Sequence, residues 1–157
     1  MEQIAERVEA QTGIPAEEFV LLASGGTAEF PDRPYLASAH EDSLEGYLFP
    51  KTYRVREGSD AREVIEMMLD QFEKELEAVD LTAVEARGMS LHELVTIASI
   101  IEREARVAQD RPLISSVIYN RLERGMHLEI CATIEYVLPG NRFRLTNEDL
   151  KICLLYT

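Results

Sequence analysis

Apolar residues recur at helical spacing along most of this chain. In residues 2–11, Ile4, Ala5 and Val8 share one face, and Gly13 stands where a helix end favours glycine. Pro15 then opens a second helix through about Ala23, with Phe19, Leu21 and Leu22 apolar. Gly25, Gly26, Pro31 and Pro34 punctuate residues 24–44, which read as a loop. From Leu44 to Val55 the pattern changes. Tyr47, Phe49, Tyr53 and Val55 have strand character, but Pro50 divides the run, which predicts two short extended pieces around a bend. Aromatics this close together point to core before they point to a ligand platform.

Helical spacing then returns. Asp60 with Glu63 makes an N-terminal capping signal, and the helix that follows, to about residue 78, is expected to bury Val64, Met67, Met68, Phe72 and Leu76. Residues 79–88 read as a connection. Ser90 with Glu93 makes a capping box that opens a helix of roughly three to four turns ending near Glu104. Asp110 and Pro112 start another, with Leu113, Ile114, Val117, Ile118, Tyr119 and Leu122 expected inward and Gly125 ending it. Residues 126–131 look extended, residues 132–138 fit one or two helical turns, Pro139 and Gly140 mark a turn, and Thr146 with Asp149 begins a last helix. The fold class is α+β, mostly helical with a minor β component.

One residue breaks the pattern of the helix after Ser90. Leu91, Val95, Ala98 and Glu102 fall on a common stripe. A carboxyl group on an apolar stripe is costly to ionise, so its pKa is expected to rise, and a carboxylic acid that stays protonated near neutral pH can protonate a leaving group. The competing reading is that Glu102 closes the helix and faces solvent, as charged helix ends usually do.

Composition narrows the function classes. The chain has 157 residues, 46% of them hydrophobic, which suits one domain or two small subdomains. Its net charge of −13 argues against nucleic acid, whose phosphates need clustered Lys and Arg. No run of eighteen apolar residues is present. His40, His92 and His127 are scattered without metal-ligand spacing, and Cys131 and Cys153 are too few for a disulfide framework, so no metal is expected. No glycine-rich phosphate loop occurs, and no cofactor is expected.

Four separated elements agree in order and spacing with one family. Leu44-Glu-Gly-Tyr-Leu-Phe-Pro50 with Thr52-Tyr53 is similar to its Leu-Glu-Gly-Tyr-Leu-Phe-Pro-Asp-Thr-Tyr signature. Ala98-Ser-Ile-Ile-Glu-Arg-Glu104 is similar to its Ala-Ser-Ile-(Ile/Val)-Glu-Lys-Glu signature. Arg111, Val117-Ile-Tyr-Asn-Arg-Leu122 and Gly125-Met126-x-Leu128 match the stretch that follows, and Thr133 with Tyr136 match a Thr-Val-x-Tyr element. The chain thus resembles the YceG-like, or MltG, family of endolytic murein transglycosylases. Lys51 departs from the family's Asp, and Cys131 stands at a commonly acidic position, which is therefore not expected to carry obligatory acid–base work.

The resemblance implies a small LysM-like subdomain followed by a helical catalytic domain of lytic-transglycosylase type. Residues 1–57 would be the first part, residues 58–152 a truncated second part, and residues 153–157, which do not match, a non-native tail. It implies cleavage of peptidoglycan glycan strands between N-acetylmuramic acid and N-acetylglucosamine, leaving a 1,6-anhydro-muramyl end, with Glu102 as the single general acid and base. Glu45, Tyr47, Asn120, Arg121, Thr133 and Tyr136 match family motifs as residues that line or brace the cleft, with structural support as the competing role. Glu104, about 200° around the helix from Glu102, is assigned a structural role, paired with Arg103 or Arg111. The family further implies one membrane helix before this segment, a catalytic part outside the cytoplasm, and partners in the cell-wall synthesis machinery. The alternative is a non-catalytic peptidoglycan-binding or helical interaction module.

Overall fold

A computed structural model describes residues 1–130 together with Thr133 and Tyr136. Six α-helices occur among them: α1 (Glu2–Thr12), α2 (Ala16–Ser24), α3 (Ala61–Leu76), the single turn α4 (Thr82–Glu85), α5 (Leu91–Glu104) and α6 (Arg111–Glu123). The backbone forms two compact units, Met1–Leu94 and a second beginning at Val95.

The first unit is organised around α3. Asp60 caps it, its side chain accepting from the Glu63 amide at 2.9 Å, so one of the otherwise unpaired first-turn donors is satisfied. The helix buries Ala61, Val64, Ile65, Met68 and Leu69 on one face, and α1 and α2 supply Ala5, Phe19 and Ala23 to the same core. Full burial of side chains such as Phe19, Ile65 and Leu69 stabilises the unit by about 1.5–3 kcal/mol each. This single cluster joins residues on both sides of position 57, because α3 supplies the apolar face on which α2 and the loop pack.

Residues 24–44 are more ordered than their Gly and Pro content suggests. They form three 3₁₀ turns, Thr27–Glu29, Pro34–Ser38 and His40–Asp42, and bury Phe30, Leu36 and Leu44. Arg33 pins them to α3, donating to Glu73 at 2.8 Å and to Asp70, while Arg62 reaches back to Glu29. Gly26 cannot be replaced without movement, since a Cβ there would lie 1.9 Å from the Leu22 carbonyl oxygen. The Leu44 amide donates to the Ala23 carbonyl at 2.8 Å and so closes the loop.

The strands expected between Leu44 and Val55 do not form; among the described residues there is no strand, there or in 126–130. The mostly helical part of the expected class holds, and among the described residues its β component is not formed. The local chemistry explains the first of these. Gly46 takes a φ of +90°, a value that L side chains rarely adopt, in a turn closed by the Tyr47 amide donating to Leu44 at 3.0 Å. That turn sends Leu44, Tyr47 and Leu48 into the core. Pro50 offers no amide for a ladder. The segment is an aromatic plug rather than a sheet edge.

The second unit departs further from the apolar pattern. On α5 the buried positions are Ile97 and Ile100, not Ala98 and Glu102, both of which are exposed. On α6 only Ile118 is buried: Ile114 and Tyr119 are half-buried, and Leu113, Val117 and Leu122 are exposed. The α6 sequence is apolar around more of its circumference than its neighbours cover. No described helix is long and apolar enough to cross a membrane.

Candidate active site

Local signals set the start of α5. The Ser90 amide and hydroxyl donate to the Glu93 carboxylate at 2.7 and 2.8 Å, and the Glu93 amide donates back to the Ser90 hydroxyl at 3.2 Å. These bonds hold the Glu93 carboxyl below its ordinary value and fix the phase of the helix. Glu102 follows near the C-terminal end.

With that phase, Glu102 stands about 140° from Ile97 and about 200° from Ile100 around the helix, so it faces away from the buried side. It is exposed, and the desolvation expected from an apolar stripe is not supplied by the described residues. The reason is geometric. Small Ala98 continues the stripe on paper but is itself exposed, whereas the β-branched Ile97 and Ile100 take the core.

Exposure places Glu102 at a pocket. Ala98, Ile101, Glu102 and Arg111 line an open depression of about 340 Å³. Ala98 and Ile101, three positions apart on α5, give it apolar lining, and among the described residues one carboxylate and one guanidinium complete it. The two charged groups do not pair: among the described residues no ion pair joins them. Glu104 is exposed, already engaged, and does not line this pocket. Net charge reinforces the local character of the site. Residues 1–94 carry 21 acidic against 8 basic side chains, whereas residues 95–157 carry eight of each, so Arg111 does not sit in a strongly acidic unit.

The remaining candidates divide between the two units. Tyr47 belongs to the core of the first: it is fully buried, its ring lies edge-on to Phe72 at 5.3 Å and tilted to Tyr35 at 6.2 Å, and burial raises its hydroxyl pKa. Its hydroxyl is 3.5 Å from His92 Nδ1. Tyr47 packs in that core. Glu45, two positions earlier, is exposed.

In the second unit Arg121 is a brace. Its guanidinium donates to the His127 and Leu128 carbonyls at 3.1 and 2.6 Å and to the Glu129 carboxylate at 3.1 Å. It thereby holds the segment after α6, where Glu129 has a φ of +50°. Asn120 is exposed. Thr133 is half-buried with its hydroxyl on the Ile130 carbonyl at 2.7 Å, and Tyr136 is 73% exposed; both are helical. Cys131, Cys153 and the helix expected after Thr146 lie outside the described residues. Arg111 is the pocket residue that pattern reading left in a supporting role. The available signal was its place between Asp110 and Pro112, at the first turn of a helix, where the backbone is fixed.

A YceG-like family profile matches residues 1–156. An endolytic murein transglycosylase of Streptococcus pneumoniae (strain ATCC BAA-255 / R6) is 33% identical over 151 residues, covering 87% of this chain and 27% of that protein. One from Bacillus subtilis (strain 168) is 37% identical over 110 residues, covering 69% of this chain and 30% of that protein. The crystal structure of a yceG-like protein from Listeria monocytogenes superposes with a TM-score of 0.80 at 28% identity, over 94% of this chain and 52% of that one. The chain spans less than a third of the length of these two curated transglycosylases.

Proposed function

This chain belongs to the YceG-like family, and we propose that it carries the acid–base glutamate of an endolytic murein transglycosylase. The observation that supports the assignment is a pocket that holds one carboxylate among the described residues. A hydrolase of glycosidic bonds usually needs two, one for the leaving group and one for water or the sugar. A lytic transglycosylase needs one, because the substrate's own C6 hydroxyl is the nucleophile. Glu102, with Ala98, Ile101 and Arg111 around it, meets that requirement.

In this mechanism protonated Glu102 gives its proton to the oxygen joining N-acetylmuramic acid C1 to N-acetylglucosamine. The C1–O bond breaks and the N-acetylglucosamine hydroxyl departs. The Glu102 carboxylate then takes the proton from the muramyl C6 hydroxyl as its oxygen bonds to C1, closing the 1,6-anhydro ring and restoring the acid. Glu102 is exposed, and a strand seated over Ala98 and Ile101 would cover it.

The substrate in this reading is the peptidoglycan glycan strand. The activity is that of a longer membrane-anchored protein with its catalytic part outside the cytoplasm, working beside the cell-wall synthesis machinery. Residues 1–57 would serve as the LysM-like part and residues 58–152 as the catalytic part, a division of roles within a packing that crosses residue 57. The exposure of Glu102 favours a second reading, a non-catalytic peptidoglycan-binding module. One digest separates the two. Purified peptidoglycan incubated with the complete protein should release fragments with anhydro-muramyl ends by mass spectrometry, and strands that bind without being cut would support the module.

A further inference from the structure

We propose that Arg111 positions the substrate by binding an acyl oxygen of the muramyl residue beside Glu102. The proposal rests on the reading of the pocket given above and goes beyond it by naming the group that this pocket recognises.

Among the described residues Arg111 is the one cation that lines the pocket. It follows the 3₁₀ turn Ala108–Asp110 and precedes Pro112, whose ring fixes φ at the start of α6. Its backbone is helical from the first turn of α6, and the residue is exposed. Had Arg111 served to hold Glu102, the two would form an ion pair. Such a pair would favour the carboxylate and oppose the proton donation that the first step needs. They remain apart, facing one depression. A guanidinium so placed offers several N–H donors in a planar fork, a geometry that suits a carboxylate or an acyl oxygen.

The substrate carries such oxygens where they are required. Each murein sugar bears an N-acetyl carbonyl, and the muramyl residue adds the acyl group of its lactyl ether. A sugar ring lying with its C–H face on Ala98 and Ile101 brings an acyl oxygen toward Arg111 while its glycosidic oxygen approaches Glu102. Arg111 is then a specificity-determining contact, and its energy is spent on binding rather than on proton transfer.

The test compares the complete protein with Arg111→Gln, Arg111→Lys and Glu102→Gln on isolated glycan strands, with circular dichroism confirming that each is folded. A charge-assisted hydrogen bond lost to Gln should raise KM by about 10–100-fold, with kcat changed less than about threefold. The pH profile of kcat should stay in place, and Lys should recover part of the loss by keeping the charge without the fork. An unchanged KM would overturn the proposal. So would a loss confined to kcat with a displaced acid limb, which would mean that Arg111 acts through Glu102. Failure of the pocket assignment itself reads differently: Glu102→Gln would then cleave as well as the parent. If Gln alone unfolds the chain, the KM of Arg111→Lys decides, since that variant keeps charge and length.

Discussion

Replacing Tyr47 by Ala should unfold the first unit at a much lower temperature, whereas Tyr47→Phe should be almost silent. The side chain is fully buried. Truncating a buried aromatic to Ala typically costs about 3–5 kcal/mol, and the edge-on contact with Phe72 at 5.3 Å places Tyr47 toward the upper part of that range. Against a typical stability of about 5–15 kcal/mol, such a loss is a large fraction. For a unit of this size each kcal/mol moves the midpoint by about 4–8 °C, so Tyr47→Ala should lower Tm by at least about 15 °C. The hydroxyl lies 3.5 Å from His92 Nδ1, at the far limit of a hydrogen bond, and also meets the Ser38 side chain, so Phe should cost no more than about 1 kcal/mol. Thermal unfolding followed by far-ultraviolet circular dichroism measures both. A Tyr47→Ala midpoint within about 5 °C of the parent would refute the packing argument. A folded Tyr47→Phe that lost glycan cleavage would show the hydroxyl acting on substrate instead.

Two further predictions concern protons. The Glu93 carboxyl is held below its ordinary 4.5 by the Ser90 amide and hydroxyl, so its contribution is complete above that pH and fades as the pH falls through the depressed value. Ser90→Ala should cost about 1 kcal/mol at neutral pH, and the Tm gap between parent and Glu93→Gln should shrink in acid; a gap that widened in acid would reverse the sign of this linkage. At the other end of the scale, burial pushes the Tyr35 hydroxyl up to about 12 and also raises Tyr47 and Tyr53. The folded state favours their neutral forms, so this stabilisation holds below pH about 10 and is lost as pH rises toward 12. Ultraviolet titration should show late-ionising tyrosines in the native chain that become ordinary in urea, and a native titration with every tyrosine near 10 would contradict the burial.

The features legible in the sequence are those that few residues decide. Asp60 with Glu63 and Ser90 with Glu93 place the starts of α3 and α5, because a cap is closed within one turn of chain. Gly13, in the left-handed conformation at φ +79°, ends α1 for the same reason. What pattern could not settle is which apolar face a helix buries, since that depends on neighbours distant in sequence. Both Ala98 and Ile97 are apolar, yet only Ile97 is buried, and that one-position difference turns Glu102 outward. Leu113 and Val117 read as core and lie exposed, because apolar spacing on α6 does not state what covers it. The strands expected at Leu44–Val55 gave way to the turn at Gly46, where tertiary burial of Tyr47 outweighed local β propensity. Motif order named Glu102 independently of burial, whereas the place of Arg111 beside it became visible only with the pocket.

The most direct test of the single-glutamate account is cleavage of glycan strands in heavy-oxygen water by the complete protein and its Glu102→Gln variant. Gln keeps the side chain's volume but cannot deliver the proton, and one group is asked to perform both proton transfers. The loss should reach or exceed the upper end of the about 10²–10⁴-fold range typical of general acid–base catalysis, with the variant still folded. Products of the parent should carry anhydro-muramyl ends with no label, because the C6 hydroxyl of the substrate outcompetes water for C1. Labelled reducing ends, or a Glu102→Gln variant that cleaves at the parent's rate, would contradict the account.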